Sequence, residues 1–219
     1  MPIKFISLNE DFLIDLHKID DTYELLYMRV EHYEPDPLKK TYYVSPANSL
    51  GFMDGGIDFA LSIKVFPGIE DDVMLKIETC GKENLLGRKY LPIGSSIIFD
   101  KPNNTSLIVA PTMLLPQKVK NTNNAYYATM AILHNILINR QESLENVDIL
   151  FTSFCCGYGQ MDISESIKQI LKGINDYVNY KPTIINRNYI FNEPNLAEQP
   201  KYYQNLEWFK ILPNEIVRP

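Results

Sequence analysis

The chain has 219 residues, of which 45% are hydrophobic and 22% charged, with a formal net charge of -6 and a pI near 5.1. That length carries one domain with a large core and a further segment. The acidic balance argues against a nucleic-acid surface, which needs an excess of Lys and Arg, but leaves room for a small anion, because backbone N–H groups bind anions without cationic side chains. The three cysteines, at 80, 155 and 156, make neither a disulfide framework nor a zinc-type CxxC pair, and point to the cytoplasm or another reducing compartment. The N-terminus MPIKFISLNED lacks a signal-peptide core. No apolar run approaches the ~20 residues of a membrane span.

In chain order, Pro2 to Leu8 reads as a strand. Asn9 caps a helix with Phe12, Leu13, Leu16 and Ile19 at helical spacing. Residues 22 to 32 are β-prone, and Pro35 and Pro37 make HYEPDPLKK a loop. Tyr42 to Ser45 is a short strand, residues 46 to 56 are loop, and a helix begins at Ile57 and ends before Pro67 and Gly68. A second helix runs from about Ile69 to Lys82. Ser96 to Phe99 and Leu107 to Ala110 are strands split by the turn DKPNNT, and APTMLLP follows as a loop. Asn123 to Arg140 is a helix apolar nearly all round, which suits packing on a sheet. Val147 to Phe151 is the last core strand, TSFCCGYGQM a second Gly-containing loop, and Asp162 with Glu165 has capping-box spacing before an amphipathic helix.

Strands alternate with helices, which predicts an α/β fold with helices on both faces of a mainly parallel sheet. Such sheets bind ligands at the carboxyl ends of their strands. Residues 33–40, 46–56, 111–122 and 154–161 are all expected to be loops at those ends. After Val178 the texture changes: residues 180–219 hold five of the 14 prolines and no helical repeat. Residues 1–178 are therefore expected to form the domain, and 179–219 a C-terminal extension anchored on it by Tyr202, Tyr203, Trp208 and Phe209.

The richest stretch is YYVSPANSLGFMDGGIDFAL, residues 42–61. Gly55 and Gly56 directly before a helix allow close backbone approach to a ligand and leave the free N–H groups of the helix start available to an anion. Asn48 and Asp58 flank them. A Gly-rich turn with a first-turn acid explains the same residues without a ligand, at a dipole gain of roughly 0.3–1 kcal/mol.

The order VSPANS, GGID, APTM and CGYGQM resembles the macro domain, the ADP-ribose-binding α/β/α module, over roughly residues 20–178. The first motif is similar to that of the branch holding ADP-ribose 1″-phosphate phosphatase-like proteins. The resemblance implies a three-layer sandwich with a mixed, mostly parallel sheet of about six strands. It implies that Asn48 hydrogen-bonds the distal ribose, that Gly55, Gly56 and Ile57 meet the diphosphate through backbone N–H groups, and that Asp58 works at the distal ribose. Asn48 and Asp58 are thus the candidate catalytic pair. Gly157, Tyr158 and Gly159 match the second phosphate-gripping loop, where Tyr158 or Met161 would pack on the ligand. Ser45, Ala47, Cys156 and Gln160 complete the expected binding set. Many relatives carry a Gly-Asp pair whose Asp receives the adenine amino group; the stretch here is HYEPDP, with Glu34 as the best match and Asp36 as the alternative.

The implied ligand is ADP-ribose or an ADP-ribosylated protein, with no cofactor, metal, nucleic acid or membrane. The implied chemistry is hydrolysis at the distal ribose, as an ADP-ribose 1″-phosphate phosphatase or an ADP-ribosyl hydrolase. The alternative is a non-catalytic ADP-ribose reader or an interaction module whose cleft the C-terminal extension modulates. Some phosphatase-like members use a histidine, but His17 and His134 fall in helices, where packing is the expected role, and His32 falls on the adenine side. Cys155 and Cys156 have no histidine partner and read as small loop residues. Asp54 reads as a solvated loop acid.

Overall fold

The computed structural model describes residues 2–84 and 87–180. The expected C-terminal extension, apart from its first two residues, lies outside the described residues.

Strand β1 (Ile3–Ser7) leads into helix α1 (Glu10–Ile19), where Asn9 accepts the Phe12 N–H at 3.1 Å, as its position before an apolar repeat predicts. β2 (Glu24–Tyr27) is shorter than the β-prone stretch around it; the chain then makes a 3-10 turn, Val30–His32. β3 (Lys40–Ser45) is followed by the loop 46–55 and by α2 (Gly56–Ala60), which runs on without a break as a π turn, Leu61–Val65. α3 spans Ile69–Cys80. β4 (Lys82–Glu83) and β5 (Lys89–Tyr90) form a small antiparallel ribbon. β6 (Ile97–Lys101) and β7 (Thr105–Val109) form a hairpin. α4 (Asn124–His134) ends in a second π turn, Asn135–Asn139, and β8 (Val147–Phe151) and α5 (Ile163–Tyr180) close the domain. At the start of α5, Ser166 N–H donates to the Asp162 carbonyl, while the Glu165 carboxylate accepts from Gln169.

The main sheet has six strands in the order β2-β1-β8-β3-β7-β6, parallel except for β6 against β7. Alternate residues of each central strand feed opposite cores, as the two-residue period requires. Phe5, Tyr42, Val44, Ile108, Ile149 and Phe151 pack with α1, α4 and α5. Ile6, Tyr43, Leu107, Val109 and Leu150 pack with α2, its π turn and α3. The result is the expected three-layer α/β/α sandwich. β3, β7 and β8 are buried at nearly every position because both faces of a largely parallel sheet are covered.

This topology corrects one expectation. Residues 33–39 do not lie at the carboxyl ends of the strands. β2 and β3 are both parallel to the strands beside them, so the chain leaving the far end of β2 must travel back to the near end of β3, and residues 33–39 are that return. Tyr33 Oη accepts from Lys4 Nζ at 3.1 Å and donates to Asp148 Oδ2 at 3.3 Å. Lys4 and Asp148 are each the second residue of their strands, at the opposite end of the sheet from the ligand-type loops. Asp36 closes a local turn by accepting the Leu38 N–H. Glu34 and Asp36, the two candidates for an adenine contact, therefore sit on the wrong side of the domain.

Candidate functional site

A cleft of about 980 Å³ opens at the carboxyl ends of β1, β2, β3, β7 and β8, the place where parallel sheets leave strand ends and helix starts unpaired. Two loops wall it, residues 46–57 and 152–159.

The first loop is held rigidly from below. Ala110 N–H donates to the Ser45 carbonyl, Thr112 N–H to the Ala47 carbonyl at 2.9 Å, and Ser49 N–H to the Met113 carbonyl at 2.8 Å, so the β3–β7 pairing continues past both strands. Gly51 sits at φ +82 with its α-hydrogen side against Val73 and Ile77; a Cβ there would come within 2.8 Å of Ile77. Glu70 takes the Met53 N–H, and Ser62, buried in the π turn, donates to the Met53 carbonyl. At the tip, Gly56 has φ +57, which glycine adopts without steric cost. A Cβ on either Gly55 or Gly56 would meet nothing within 4 Å. The N–H groups of Gly55, Gly56 and Ile57, which precede or open the helix, find no acceptor among the described residues.

The second loop is equally tight. Cys155 and Gln160 both take positive φ, near 63 and 52. Met161 N–H returns to the Cys155 carbonyl, and Val119 N–H takes the Gly159 carbonyl at 2.8 Å. Gly159 is required for packing, since a Cβ would lie 2.5 Å from the Cys155 carbonyl oxygen. Gly157, by contrast, borders open space, and the N–H groups of Cys156, Gly157 and Tyr158 have no acceptor among the described residues. Tyr158 is 70% exposed on the lip of the cleft, whereas Met161 is buried in the core.

Asp58, in the first turn of α2, lines the cleft next to the first loop. Its carboxyl is half-buried in the cleft wall and accepts a hydrogen bond from Ser45 Oγ at 2.8 Å. Loss of water around the carboxyl raises its pKa from 3.8 to about 7; the Ser45 hydroxyl opposes the rise and the Asp54 carboxylate adds to it. Asp58 thus exchanges its proton near neutrality, which is the condition for proton-transfer chemistry. The cysteines are the opposite case. Burial pushes the Cys155 thiol up to about 12 and also raises that of Cys156, so neither supplies a thiolate near neutrality.

The expected site residues separate into three groups. Ala47, Asn48, Gly55, Gly56, Ile57, Asp58, Cys156, Gly157, Tyr158 and Gly159 all line the cleft. Ser45 and Gln160 do not: Ser45 is fully buried beneath Asp58 and reaches the cleft only through it, and Gln160 is exposed where the chain turns toward α5. Glu34 lies at the other end of the sheet, as described above. Asn48 lines the cleft but its amide is engaged within its own loop. Nδ2 donates to the Phe52 carbonyl at 2.7 Å, and Oδ1 accepts from the N–H groups of Leu50 and Phe52 at 3.1 and 3.3 Å. None of the three histidines lines the cleft: His17 is exposed at the end of α1 rather than packed, His32 ends the 3-10 turn, and His134 packs on Tyr177.

Sequence reasoning missed Arg29 and Glu31, which line the cleft from the end of β2. The signal for them was the strand's own end: in a parallel sheet, the residues immediately after a strand face the ligand side. Among the described residues no group of three or more His, Cys, Asp or Glu is placed to hold a metal, and no helix is long and apolar enough to cross a membrane.

No family model and no curated protein matches the chain. Solved structures do. The macrodomain of Oceanobacillus iheyensis with ADP superimposes with a TM-score of 0.52 at 17% identity, over 70% of this chain and 74% of that one. The same macrodomain with MES bound gives 0.52 at 17% identity, over 70% and 75%. A mutant form solved with ADPR gives 0.50 at 17% identity, over 67% and 73%. The fold is that of a macrodomain. The likeness is to macrodomains as a group and does not single out the phosphatase-like branch.

Proposed function

We propose that this chain binds ADP-ribose, free or attached to a protein, in the strand-end cleft. The observation that carries the reading is the pair of facing loops whose N–H groups, at residues 55–57 and 156–158, lack protein acceptors and whose glycines at 55, 56 and 157 leave the cleft side open. Oriented backbone N–H groups hold phosphate oxygens without long cationic chains, which suits a cleft lined, among the described residues, by Asp54, Asp58 and Glu31 against one cation, Arg29. The Oceanobacillus macrodomain structures with ADPR and with ADP support the same ligand. Titration calorimetry tests it: ADP-ribose should give a saturable signal that ribose 5-phosphate at equal concentration does not. No signal at millimolar ADP-ribose overturns the reading.

A second reading is favoured by Asp58. With a pKa near 7 and a place in the cleft lining, it is suited to take a proton from a water attacking C1″ of an ADP-ribosyl ester. The water oxygen bonds to C1″, the C1″–O bond to the carboxylate breaks, and the departing carboxylate carries the negative charge until the proton is returned. General-base help of this kind contributes on the order of 10²- to 10⁴-fold. Wild type and Asp58→Asn are compared on ADP-ribosylated protein and on ADP-ribose 1″-phosphate. Equal, measurable rates remove Asp58 from the chemistry, and no turnover by either protein leaves an ADP-ribose reader.

A further inference from the structure

Met53 is the last fixed point before the exposed tip of the first loop. Its side chain is fully buried, in the core that also holds Leu61, Ile69 and Val73. Its N–H donates to Glu70 Oε1 at 2.9 Å, and its carbonyl accepts from Ser62 Oγ, in the buried side of the π turn, at 3.2 Å. The N–H belongs to the peptide before Met53 and the carbonyl to the peptide after it, and each peptide is a rigid plane. Both planes are therefore pinned. Asp54, Gly55 and Gly56 then stand exposed. The chain is caught again where the Phe59 N–H donates to the Gly55 carbonyl and where Ser45 donates to Asp58.

The two adjacent glycines at the tip have the widest backbone freedom of any residue. If they had to be ordered when a ligand arrived, that cost would come out of the affinity; a loop already held in place avoids it. The direction of the N–H groups at 55–57 is set by the peptide planes upstream, and the side-chain anchor of those planes that carries a charge is Glu70. Glu70 itself lies outside the cleft lining.

A first-turn acid of α3 has a simpler use, which is to stabilise the helix start. Glu70, Asp71 and Asp72 all qualify, and Gly68 at the cap offers no side chain. The three acids differ in where they reach. Asp71 is exposed and Asp72 pairs outward with Lys101 at 3.0 Å, whereas Glu70 reaches back 17 residues to the loop.

We propose that Glu70 is a positioning residue for ligand binding: by accepting the Met53 N–H it holds residues 54–57 in the arrangement that presents their N–H groups to the diphosphate. The inference rests on the ADP-ribose reading above. It ties the affinity of the cleft to the start of α3, an element that does not touch the ligand.

Reach and charge are separated by two conservative variants of the full chain, each titrated with ADP-ribose by calorimetry. Glu70→Asp keeps the charge at the helix start but draws the carboxylate back by one methylene, so it should weaken ADP-ribose by about tenfold. Glu70→Gln loses the charge but keeps an acceptor oxygen at the same reach, so it should stay within about threefold of wild type. Asp71→Ala, which removes a neighbouring first-turn acid, should leave the affinity unchanged. Thermal melts establish that each protein is folded at the temperature of titration; an acid that serves only the helix shifts the melt and leaves the affinity of the folded protein alone. If wild type binds ADP-ribose and Glu70→Asp binds it equally well, or if Glu70→Gln is weakened as much as Glu70→Asp, the positioning role is overturned while the ligand class stands. If wild type binds no ADP-ribose, the reading beneath it fails and takes the positioning role with it.

Discussion

Ser45 Oγ donates a 2.8 Å hydrogen bond to Asp58 Oδ1 across the step from the end of β3 to the start of α2. The buried hydroxyl is what keeps the Asp58 carboxyl from rising further than about 7 against the loss of solvent and the nearby Asp54. The strand end and the helix start are thereby joined through an acid of the cleft wall.

This arrangement makes folding stability depend on pH in a definite direction. Between 3.8 and about 7 the native Asp58 holds its proton and the unfolded one has lost it. The native state binds more protons, so stability is fully present below pH 4 and is lost as pH rises through 7. Asp58→Asn removes that dependence. After allowance for solvent screening, the variant should be more stable than wild type by on the order of 1–3 kcal/mol at pH 8 and nearly equal to it at pH 4. Urea denaturation at the two pH values measures this; an equal difference at both would show that Asp58 does not titrate in this range.

Ser45→Ala acts on the same pair from the other side. Removing the donor takes away the interaction that favours the charged carboxylate, so the Asp58 pKa should move upward. Carboxyl-carbon NMR of Asp58 reads the shift directly. In any hydrolysis assay that depends on Asp58 as a base, the rising limb of the pH profile should move to higher pH in step. A profile that moves without the NMR titration would place the pH dependence on another group.

The glycines of the two loops separate folding from ligand access. A Cβ on Gly159 would meet the Cys155 carbonyl at 2.5 Å and Val119 at 2.8 Å, and overpacking of this kind typically costs about 1–3 kcal/mol. Gly159→Ala should lower the melting temperature. Gly55 has extended backbone angles and open space where a Cβ would go, so Gly55→Val should melt like wild type yet lose ADP-ribose affinity by filling the cleft side of the loop. A Gly55→Val protein with unchanged affinity would remove the first loop from the ligand site.

The sheet was legible because its central strands are short and largely apolar, and the cleft because glycines interrupt the chain just after two of them. The return of residues 33–39 to the opposite end of the sheet was not legible: proline and acid content mark a loop but do not say at which end it lies, and only the parallel pairing of β2 and β3 with their neighbours decides it. Arg29 and Glu31 were hidden inside what reads as one β-prone stretch that in fact ends at Tyr27. The π turns at 61–65 and 135–139 leave the apolar spacing almost unchanged, so periodicity alone does not report them. The small ribbon of β4 and β5 is too short to leave a pattern.

Asn48 is the residue whose local chemistry reads most differently in the folded chain. An amide at the mouth of a strand-end loop can face a ligand or close its own turn, and the residue type favours both. Here Nδ2 and Oδ1 are committed to Leu50 and Phe52 through three hydrogen bonds, and the side chain is buried. Asn48→Ala should therefore destabilise the fold by about 1–3 kcal/mol, because the N–H groups of Leu50 and Phe52 lose their acceptor. Asn48→Asp keeps that acceptor and loses only the donor to Phe52, setting a carboxylate against a carbonyl, so it should also destabilise the loop, most at pH well above the carboxyl's ordinary range and least where it is protonated. Denaturant midpoints measured with and without ADP-ribose separate the two roles. A loss seen equally in both conditions is the brace. An Asn48→Ala protein as stable as wild type without ligand, but no longer stabilised by it, would return Asn48 to the ligand.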